Sequence, residues 1–168
     1  MRNGFGFEAM MIASVLVLGM FAPGIAADTG MPCSQEIAMV CTQNVANGLG
    51  SLLKNIAEVK QRITLIQSFI DPIRFYPDQS GYFYVYDYNC VNIAHATQKD
   101  LVGKNLYDYK DGKGKFVIRE LAAAAKKGGG FVDFYWVKPG EKGEQKKLGY
   151  VFPIPNTDYF IGTGVYLQ

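Results

Sequence analysis

The sequence contains little of the chemistry on which most enzyme sites depend, since its 168 residues include one histidine and three cysteines. A metal site built from several histidines is therefore impossible within one chain, and the patterns HExxH and CxxC are absent. The GxSxG motif of serine hydrolases and the phosphate-binding P-loop are absent as well. We therefore expect no enzymatic activity, no metal and no cofactor.

The chain also lacks a large excess of charge of one sign, with 17 basic and 15 acidic residues and a net charge of +2. A nucleic-acid-binding surface would require clustered lysine and arginine side chains. The lysines here occur in small groups such as Lys126-Lys127 and Lys146-Lys147, which we interpret as solvated surface, so we expect no nucleic-acid partner. With 49% hydrophobic and 14% aromatic residues, the composition is typical of one globular domain with a single core.

Long hydrophobic runs are missing too. The run AMMIASVLVLGMFA at residues 9–22 is shorter than the about 20 apolar residues that a membrane-spanning helix needs. Arg2 precedes this run and the small residues GIAAD follow it, which is typical of a secretory signal peptide cleaved near Ala26 or Ala27. The sequence therefore predicts a signal peptide over residues 1–27 and a periplasmic or secreted protein. An uncleaved membrane anchor is the alternative interpretation.

The three cysteines, Cys33, Cys41 and Cys90, cannot all pair within one chain, although export would place them in an oxidising compartment. Cys33 and Cys41 are eight residues apart, which is ~12 Å along one helix and beyond the ~7 Å between Cα atoms that a disulfide spans. They can therefore pair only if the chain folds back before a helix begins.

The clearest pattern is a heptad stripe of aliphatic side chains over residues 45–70, which recur at steps of four and three. Its members are Val45, Leu49, Leu52, Ile56, Val59, Ile63, Ile66 and Ile70. The stripe predicts a long helix that begins at about residue 34 and ends at Asp71-Pro72, because the residue before a proline disfavours the helical conformation. The stripe either packs only on the chain's own sheet or also meets a partner helix, as in a homodimer.

After the long helix the hydrophobic period changes to two, which predicts strands. Residues 81–88 and 91–95 form a predicted hairpin, residues 97–115 a loop, and residues 116–127 an alanine-rich helix. Three further strands are predicted, FVDFYWVK, KKLGYVFPI and YFIGTGVYL, and the glycines of the last indicate that another group packs closely there. This order, with short hairpin links, favours an α+β fold whose helices gather on one face of an antiparallel sheet.

The stretch GYFYVYDYNCVNIAH at residues 81–95 contains the histidine of the chain. Its tyrosines have one parity and so share one face of a strand: Tyr82, Tyr84, Tyr86 and Tyr88. This face is either an aromatic ladder whose hydroxyls reach water or the wall of a ligand pocket with polar tips, and spacing leaves both open. Val91, Ile93 and His95 share a parity on the next strand. Cys90 and His95 are five residues apart and so point to opposite faces of a continuous strand, which argues against a catalytic pair.

Arg74 lies in DPIRFYPDQSGYF, among apolar and aromatic residues between the long helix and the first strand. It is either a surface charge whose stem is covered or an anchor that presents a planar guanidinium to an anion. Tyr135, Trp136 and Lys138 in DFYWVKPG again combine aromatic rings with a cation. Trp136 and Lys138 share a parity that Tyr135 does not, so at most one of the two aromatic side chains lines a pocket directly.

In their order along the chain, four segments resemble a type-2 single Cache domain, a PAS-like extracytoplasmic sensory module of chemoreceptors and histidine kinases that also occurs as a stand-alone exported protein. The segments are DPIRFYPDQSGYFYVYD, VNIAHATQKDLVGKNLYDYKDGKGK, FVIRELAAAAKKGGGFVDFYWVKPG and KKLGYVFPIPNTDYFIGTGVYLQ. The resemblance extends from about Asn47 to Gln168. It implies one domain over residues 28–168, with a long helix over about 34–70 and a sheet and pocket region over about 80–168.

The resemblance also implies a five-stranded antiparallel sheet, a second, shorter helix and a pocket over one face of the sheet. It implies non-catalytic binding of a small organic anion in signal transduction, often a short carboxylate such as acetate, propionate, pyruvate or lactate. The side chains that it assigns to the pocket are Arg74, Tyr82, His95, Tyr135, Lys138 and Lys147. Cationic and hydroxyl donors suit a carboxylate, and aromatic walls suit a short alkyl chain. The expected partners are this ligand and a membrane receptor or kinase.

The chain departs from the family pattern in three places. It has His95-Ala96 where His-Pro is usual, Cys90 where a turn glycine is common, and Gly149-Tyr150 where Ser-Tyr is typical. The sequence also stops after the last predicted strand, without the transmembrane helix and cytoplasmic part of a receptor, and so resembles the stand-alone exported form. An alternative function is a protein-interaction module with a degenerate pocket, which dimerises or docks on a membrane receptor or kinase.

Overall fold

The computed structural model describes Met1 and residues 32–167, so the predicted signal peptide lies, apart from Met1, outside the described residues. The helices of the described part are α1 (Cys33–Leu53), α2 (Val59–Ile70), a 3₁₀-helix (Lys99–Leu101) and α3 (Val117–Lys126). The strands are β1 (Tyr84–Asp87), β2 (Asn92–His95), β3 (Gly130–Val137), β4 (Glu144–Pro153) and β5 (Tyr159–Tyr166). Within residues 32–167 no helix has both the length and the apolar character needed to cross a bilayer.

The five strands form one antiparallel sheet in the order β2-β1-β5-β4-β3. β1 pairs with β2 and β3 pairs with β4, while β5 lies between β1 and β4 and joins the two halves of the sheet. The α+β class and the five-stranded antiparallel sheet that the resemblance implies are therefore confirmed.

The helices lie on both faces of the sheet, so the expectation that they gather on one face is wrong. Gln43 of α1 donates a hydrogen bond from Nε2 to the hydroxyl oxygen of Tyr150 on β4 at 2.9 Å. α3 packs instead on the face of β4 that carries Lys147. Lys147 and Tyr150 are three residues apart and therefore point to opposite faces. β4 is apolar on both sides, which gives each of these helices a surface to bury.

The predicted continuous helix is two helices, because the chain is not helical between Leu53 and Val59. α1 packs on β4 and β5, whereas α2 packs on β2 at an edge of the sheet, so the chain has to change direction between them. Glu58 begins α2 as its N-cap, since its Oε2 accepts a hydrogen bond from Gln61 N at 2.7 Å. The long N-terminal helix is therefore α1 alone, and the predicted extent to residue 70 is wrong.

A β-bulge interrupts the pairing of β1 with β2. Tyr84 lies opposite His95 and Val85 opposite Ala94, but Tyr86 lies opposite Asn92, so that Ile93 is an extra residue. Asn92 and His95 therefore share the face of β2 that lies beside Tyr84 and Tyr86. The predicted common face of Ile93 and His95 is wrong, because a bulge shifts the alternation by one residue.

All three cysteines are free thiols, and Cys33 and Cys41 both lie within α1. The fold-back that a bridge between them would require does not occur, because α1 already begins at Cys33. Cys90 lies in the turn between β1 and β2 with a φ of 67°, a conformation that glycine adopts without steric cost. Its thiol is buried in the core, which accounts for a small apolar side chain at a position that suits glycine.

α1 approaches the β4–β5 turn closely at Gly50, where an added Cβ would lie 2.8 Å from the carbonyl oxygen of Pro155. We expect Gly50→Ala to lower the free energy of unfolding by about 1–3 kcal/mol, because the helix has to move away from the turn. Urea unfolding measures the change.

The matched control is Gly48→Ala, at an exposed position of the same helix where an added Cβ meets nothing within 4 Å. Helix propensity alone should raise the free energy of unfolding of this variant by about 0.5–1 kcal/mol. If both variants were stabilised alike, the close packing of α1 on the turn would be contradicted.

Candidate functional site

A narrow cavity lies between α3 and the sheet face that carries Lys147. Its volume is about 10 Å³, which is about the space that one water molecule needs, so a ligand larger than water has to part its walls. The lining residues are Tyr82, Tyr84, Tyr86, His95, Val117, Ile118, Leu121, Phe134, Trp136 and Lys147. Three of the four alternating tyrosines are therefore a pocket wall, while Tyr88 packs against Phe160 with ring centroids 5.5 Å apart.

Glycines make room for this row of tyrosines on the sheet. An added Cβ at Gly162 would lie 2.5 Å from the ring of Tyr84, and one at Gly149 would lie 2.6 Å from the ring of Phe134. The ring of Tyr84 therefore lies directly on the backbone of β5, and its hydroxyl donates to the carbonyl oxygen of Thr163 at 3.3 Å. The predicted close packing at the glycines of the last strand is confirmed.

Lys147 extends from β4 into the cavity and is 1% exposed. Its Nζ lies 4.0 Å from the ring centroid of Tyr82, 4.7 Å from that of Tyr166 and 5.6 Å from that of Tyr84, within the range of cation–π attraction. Burial lowers the pKa of this amine, and the neighbouring Tyr82 partly opposes the effect. Within residues 32–167 no carboxylate forms an ion pair with Lys147. The result is a buried cation that aromatic rings surround.

The hydroxyl of Tyr82 is already committed as a donor. Tyr166 donates its own hydroxyl proton to the carbonyl oxygen of Val137 at 2.8 Å, and the hydroxyls of Tyr82 and Tyr166 are 3.2 Å apart. Since the proton of Tyr166 is used, Tyr82 is the donor between the two hydroxyls. Tyr82 therefore contributes its ring to the cavity, and Lys147 is left as the charged group at this end.

His95 is 1% exposed and is held in one orientation by the backbone. Its Nδ1 accepts hydrogen bonds from Gln98 N at 3.0 Å and from Thr97 N at 3.3 Å, so the neutral ring carries its proton on Nε2. Burial lowers the pKa of His95 to about 3, and the positive charges of Lys147 and Arg74 add to the effect. His95 is thus a neutral hydrogen-bond donor at physiological pH.

Three of the six predicted ligand residues meet at this cavity, namely Tyr82, His95 and Lys147. Arg74 does not line it. The guanidinium of Arg74 donates to the carbonyl oxygens of Asp71 at 3.0 Å, Ile73 at 2.6 Å and Ala96 at 2.8 Å. Arg74 therefore links the end of α2 to the end of β2 by hydrogen bonds. Its positive charge also lowers the pKa of His95.

Tyr135 and Lys138 also lie outside the lining. Trp136 occupies the cavity face of β3, so Tyr135 points to the opposite face, where the Nζ of Lys113 lies 5.5 Å from its ring centroid. Lys138 forms a surface ion pair with Asp78 at 3.1 Å. Which residues contact a ligand remains a prediction. Of the six predicted residues, the structure brings Tyr82, His95 and Lys147 together at the cavity.

Sequence reasoning missed the α3 side of the cavity and the polar side chain of Asn92. Val117, Ile118 and Leu121 recur at helical spacing on α3, and this amphipathic pattern is the signal that could have placed the helix over a pocket. No comparable signal exists for Asn92, because its orientation depends on the bulge at Ile93.

Comparison with known proteins identifies the family. Residues 35–168 match the family model dCache_2, described as a Cache domain. The chain therefore belongs to the Cache domain family, whose members are extracytoplasmic sensor domains, and the resemblance seen in the sequence is confirmed.

Curated relatives include two larger signalling proteins. The chain is 35% identical over 133 residues to the sensor histidine kinase MctS of Rhizobium johnstonii, a match that covers 79% of this chain and 27% of the kinase. It is 30% identical over 91 residues to the methyl-accepting chemotaxis protein CtpM of Pseudomonas aeruginosa, covering 54% of this chain and 16% of that protein. The chain thus spans about a quarter or less of the length of these relatives.

Solved structures with the same fold belong to chemosensory proteins. A methyl-accepting chemotaxis protein from Vibrio parahaemolyticus is 32% identical with a TM-score of 0.68, over 77% of this chain and 86% of that one. A structure described as the structural basis for carboxylic acid recognition by a Cache chemosensory domain is 28% identical with a TM-score of 0.70, over 80% of this chain and 93% of that one.

Protonation of His95 should oppose folding. Because the pKa of His95 falls from 6.5 to about 3 on folding, the unfolded chain binds a proton in this window that the folded chain does not. Stability is therefore lost as the pH falls from about 6.5 towards 3. We expect His95→Asn, whose side-chain oxygen can accept the same backbone N–H groups, to lose up to about 1.4 kcal/mol less per pH unit than the wild type.

Urea unfolding of both proteins at several pH values between about 7 and 4 measures this difference. Titration of the carboxylates is common to both proteins and cancels in the comparison. Parallel stability curves for the two proteins would show that His95 protonates in the folded chain as readily as in the unfolded chain.

Proposed function

We propose that this Cache domain binds a short-chain carboxylate in the cavity and acts as a non-catalytic sensor domain in signal transduction. The observation that carries the proposal is Lys147, a fully buried cation without an ion-pair partner in residues 32–167. An isolated buried charge destabilises a fold. A ligand carboxylate would supply the missing negative charge, at a place where little water weakens the attraction.

The rest of the lining suits such a ligand. His95 is a neutral donor through Nε2, and the backbone amides of residues 97 and 98 hold it in this tautomer. The rings of Tyr84 and Trp136 and the side chain of Leu121 offer an apolar surface to an alkyl chain. Because any ligand larger than water has to part the cavity walls, a molecule of about two to four carbons would require the smallest displacement of the lining side chains.

Similarity to known proteins supports the same class. A Cache chemosensory domain described as recognising carboxylic acids has the same fold at 28% identity. A sensor histidine kinase and a chemotaxis protein share this domain, so we propose a membrane receptor or kinase as the signalling partner. The proposed location is the periplasm or the extracellular space, in keeping with the apolar segment at residues 9–22.

Replacing the buried cation should change stability and binding in opposite directions. Lys147→Met keeps the apolar stem and removes the charge, so we expect the ligand-free protein to gain about 1–4 kcal/mol in free energy of unfolding. The wild type at about 100 times Kd of a carboxylate should gain about 2.7 kcal/mol, whereas the variant should gain nothing. Thermal unfolding of ligand-stripped protein with acetate, propionate and butanoate measures both effects.

The matched control is Lys146→Met, which removes an exposed ammonium group from the adjacent residue and should leave both measurements unchanged. Fluorescence of Trp136, the one tryptophan of the chain, reports binding at the cavity wall independently. If ligand-stripped wild type responds to none of the carboxylates, or if Lys147→Met still responds to them, the proposal is wrong.

A second candidate function is protein interaction through α1, either in a homodimer or in docking on a membrane receptor or kinase. Ile37, Val40 and Leu52 expose 37%, 43% and 53% of their surface on this helix. If these side chains form an interface, the wild type should sediment as a dimer at high concentration and Val40→Glu as a monomer. Sedimentation of the wild type as a monomer at all concentrations would exclude the homodimer.

A further inference from the structure

At the cavity wall, Tyr86 and its neighbour Asn92 carry buried polar atoms that lack a full set of hydrogen-bond partners within residues 32–167. Apart from a contact with each other that lowers the pKa of Tyr86, the hydroxyl of Tyr86 and the two polar atoms of the Asn92 side chain make no hydrogen bond to any group of residues 32–167. Each of these two residues is 1% exposed. Buried polar atoms are nearly always hydrogen-bonded, because leaving them unpaired is costly. A contact between Tyr86 and Asn92 satisfies only one polar atom of the Asn92 side chain, so the other atom still requires a partner from outside the described residues.

The backbone places Asn92 beside Tyr86, which lines the cavity. Tyr86 lies directly opposite Asn92 in the pairing of β1 with β2, and Cβ atoms of such pairs are about 5 Å apart. Without the bulge, Ile93 would lie opposite Tyr86 and Asn92 would point to the other face of the sheet. Bulges beside binding sites commonly redirect one side chain in this way. The bulge therefore places the carboxamide of Asn92, and not the apolar side chain of Ile93, opposite Tyr86.

This polar pair is distinct from the cationic end of the cavity. The ring of Tyr84 separates the two ends, because its centroid lies 5.9 Å from that of Tyr86 and 5.6 Å from the Nζ of Lys147. The Tyr84 hydroxyl is already bonded to the carbonyl oxygen of Thr163. Burial raises the pKa of Tyr86, a hydrogen bond with Asn92 partly opposes this effect, and Lys147 is the one lysine or arginine among the residues that line the cavity. This end of the cavity is therefore polar but uncharged.

We infer, on the basis of the proposed function, that the ligand is a monocarboxylate with an uncharged hydrogen-bonding group on carbon 3 or 4. Lys147 binds the carboxylate, and Tyr86 and Asn92 bind the distal group. A hydroxyl suits the pair, since it both donates and accepts while Asn92 offers a donor and an acceptor and Tyr86 a donor. A site that is built to hydrogen-bond a hydroxyl discriminates against the analogue that lacks it. A second carboxylate would meet no positive charge at this end.

Titration calorimetry of the ligand-stripped chain with butanoate, 3-hydroxybutanoate, 4-hydroxybutanoate and butanedioate tests this inference. We expect one of the hydroxy acids to bind the wild type about ten-fold more tightly than butanoate, and butanedioate to bind no more tightly than butanoate. Tyr86→Phe removes a single oxygen atom, and it should reduce the ratio of the two affinities to about one. Asn92→Leu should do the same.

The matched control is Tyr84→Phe, which removes a hydroxyl from the same wall. Because the protein itself already bonds that hydroxyl, the ratio of hydroxy acid to butanoate affinity should stay at about ten. The ratio is taken within each protein, so a general loss of affinity in a variant does not affect it. Thermal unfolding verifies that each variant is folded.

The inference and the proposed function fail through different results. Failure of all four ligands to bind the wild type overturns the proposed function and, with it, this inference. Butanoate binding that depends on Lys147, together with a ratio of about one in the wild type, overturns the inference alone, and it is the result expected if a bound water satisfies Tyr86 and Asn92. A ratio that Tyr86→Phe leaves unchanged overturns the inference as well.

Discussion

A buried ammonium group that has no carboxylate partner within residues 32–167 is the constraint on which the rest of the cavity depends. Lys147 remains charged in the folded chain only to the extent that its surroundings replace water, and the rings of Tyr82, Tyr84 and Tyr166 do so in part. A hydrogen bond joins the hydroxyls of Tyr82 and Tyr166, and this bond holds both rings against the amine of Lys147. The same charge helps to keep His95 neutral and therefore a donor. Burial is the main cause of the neutral state of His95, Lys147 adds to it, and the backbone N–H groups of Thr97 and Gln98 fix the tautomer.

The size of the cavity depends on two glycines of the sheet. Gly149 and Gly162 leave the backbone bare, so that the rings of Phe134 and Tyr84 lie directly against the strands. Serine in place of Gly149, as is typical of the family, would put a Cβ 2.6 Å from the ring of Phe134 and 3.1 Å from the Tyr84 hydroxyl. Gly149 therefore leaves the space that the rings of Phe134 and Tyr84 occupy. The narrow cavity that results favours small ligands.

Much of the fold could be predicted from periodicity, because alternation along a strand and spacing along a helix depend only on local geometry. The shared face of Tyr82, Tyr84 and Tyr86 followed from parity alone. The break before α2 could not be predicted in this way, because the heptad stripe continues through Glu58 and only the packing of two helices on different strands requires it. Ile93 was assigned to the face of His95 and Asn92 was missed for a related reason, since one extra residue in β2 reverses all that parity predicts beyond it.

β4 connects the cavity with the helix that offers the exposed apolar surface. Lys147 lies on one face of the strand, and Tyr150 on the other accepts the hydrogen bond from Gln43 of α1. Along this stretch β4 is hydrogen-bonded on both sides, to β3 and to β5. An anion that draws Lys147 out of its aromatic surroundings therefore acts on the same strand that supports α1. The proposed ligand and the proposed partner would therefore act on the same strand, β4, from its two faces.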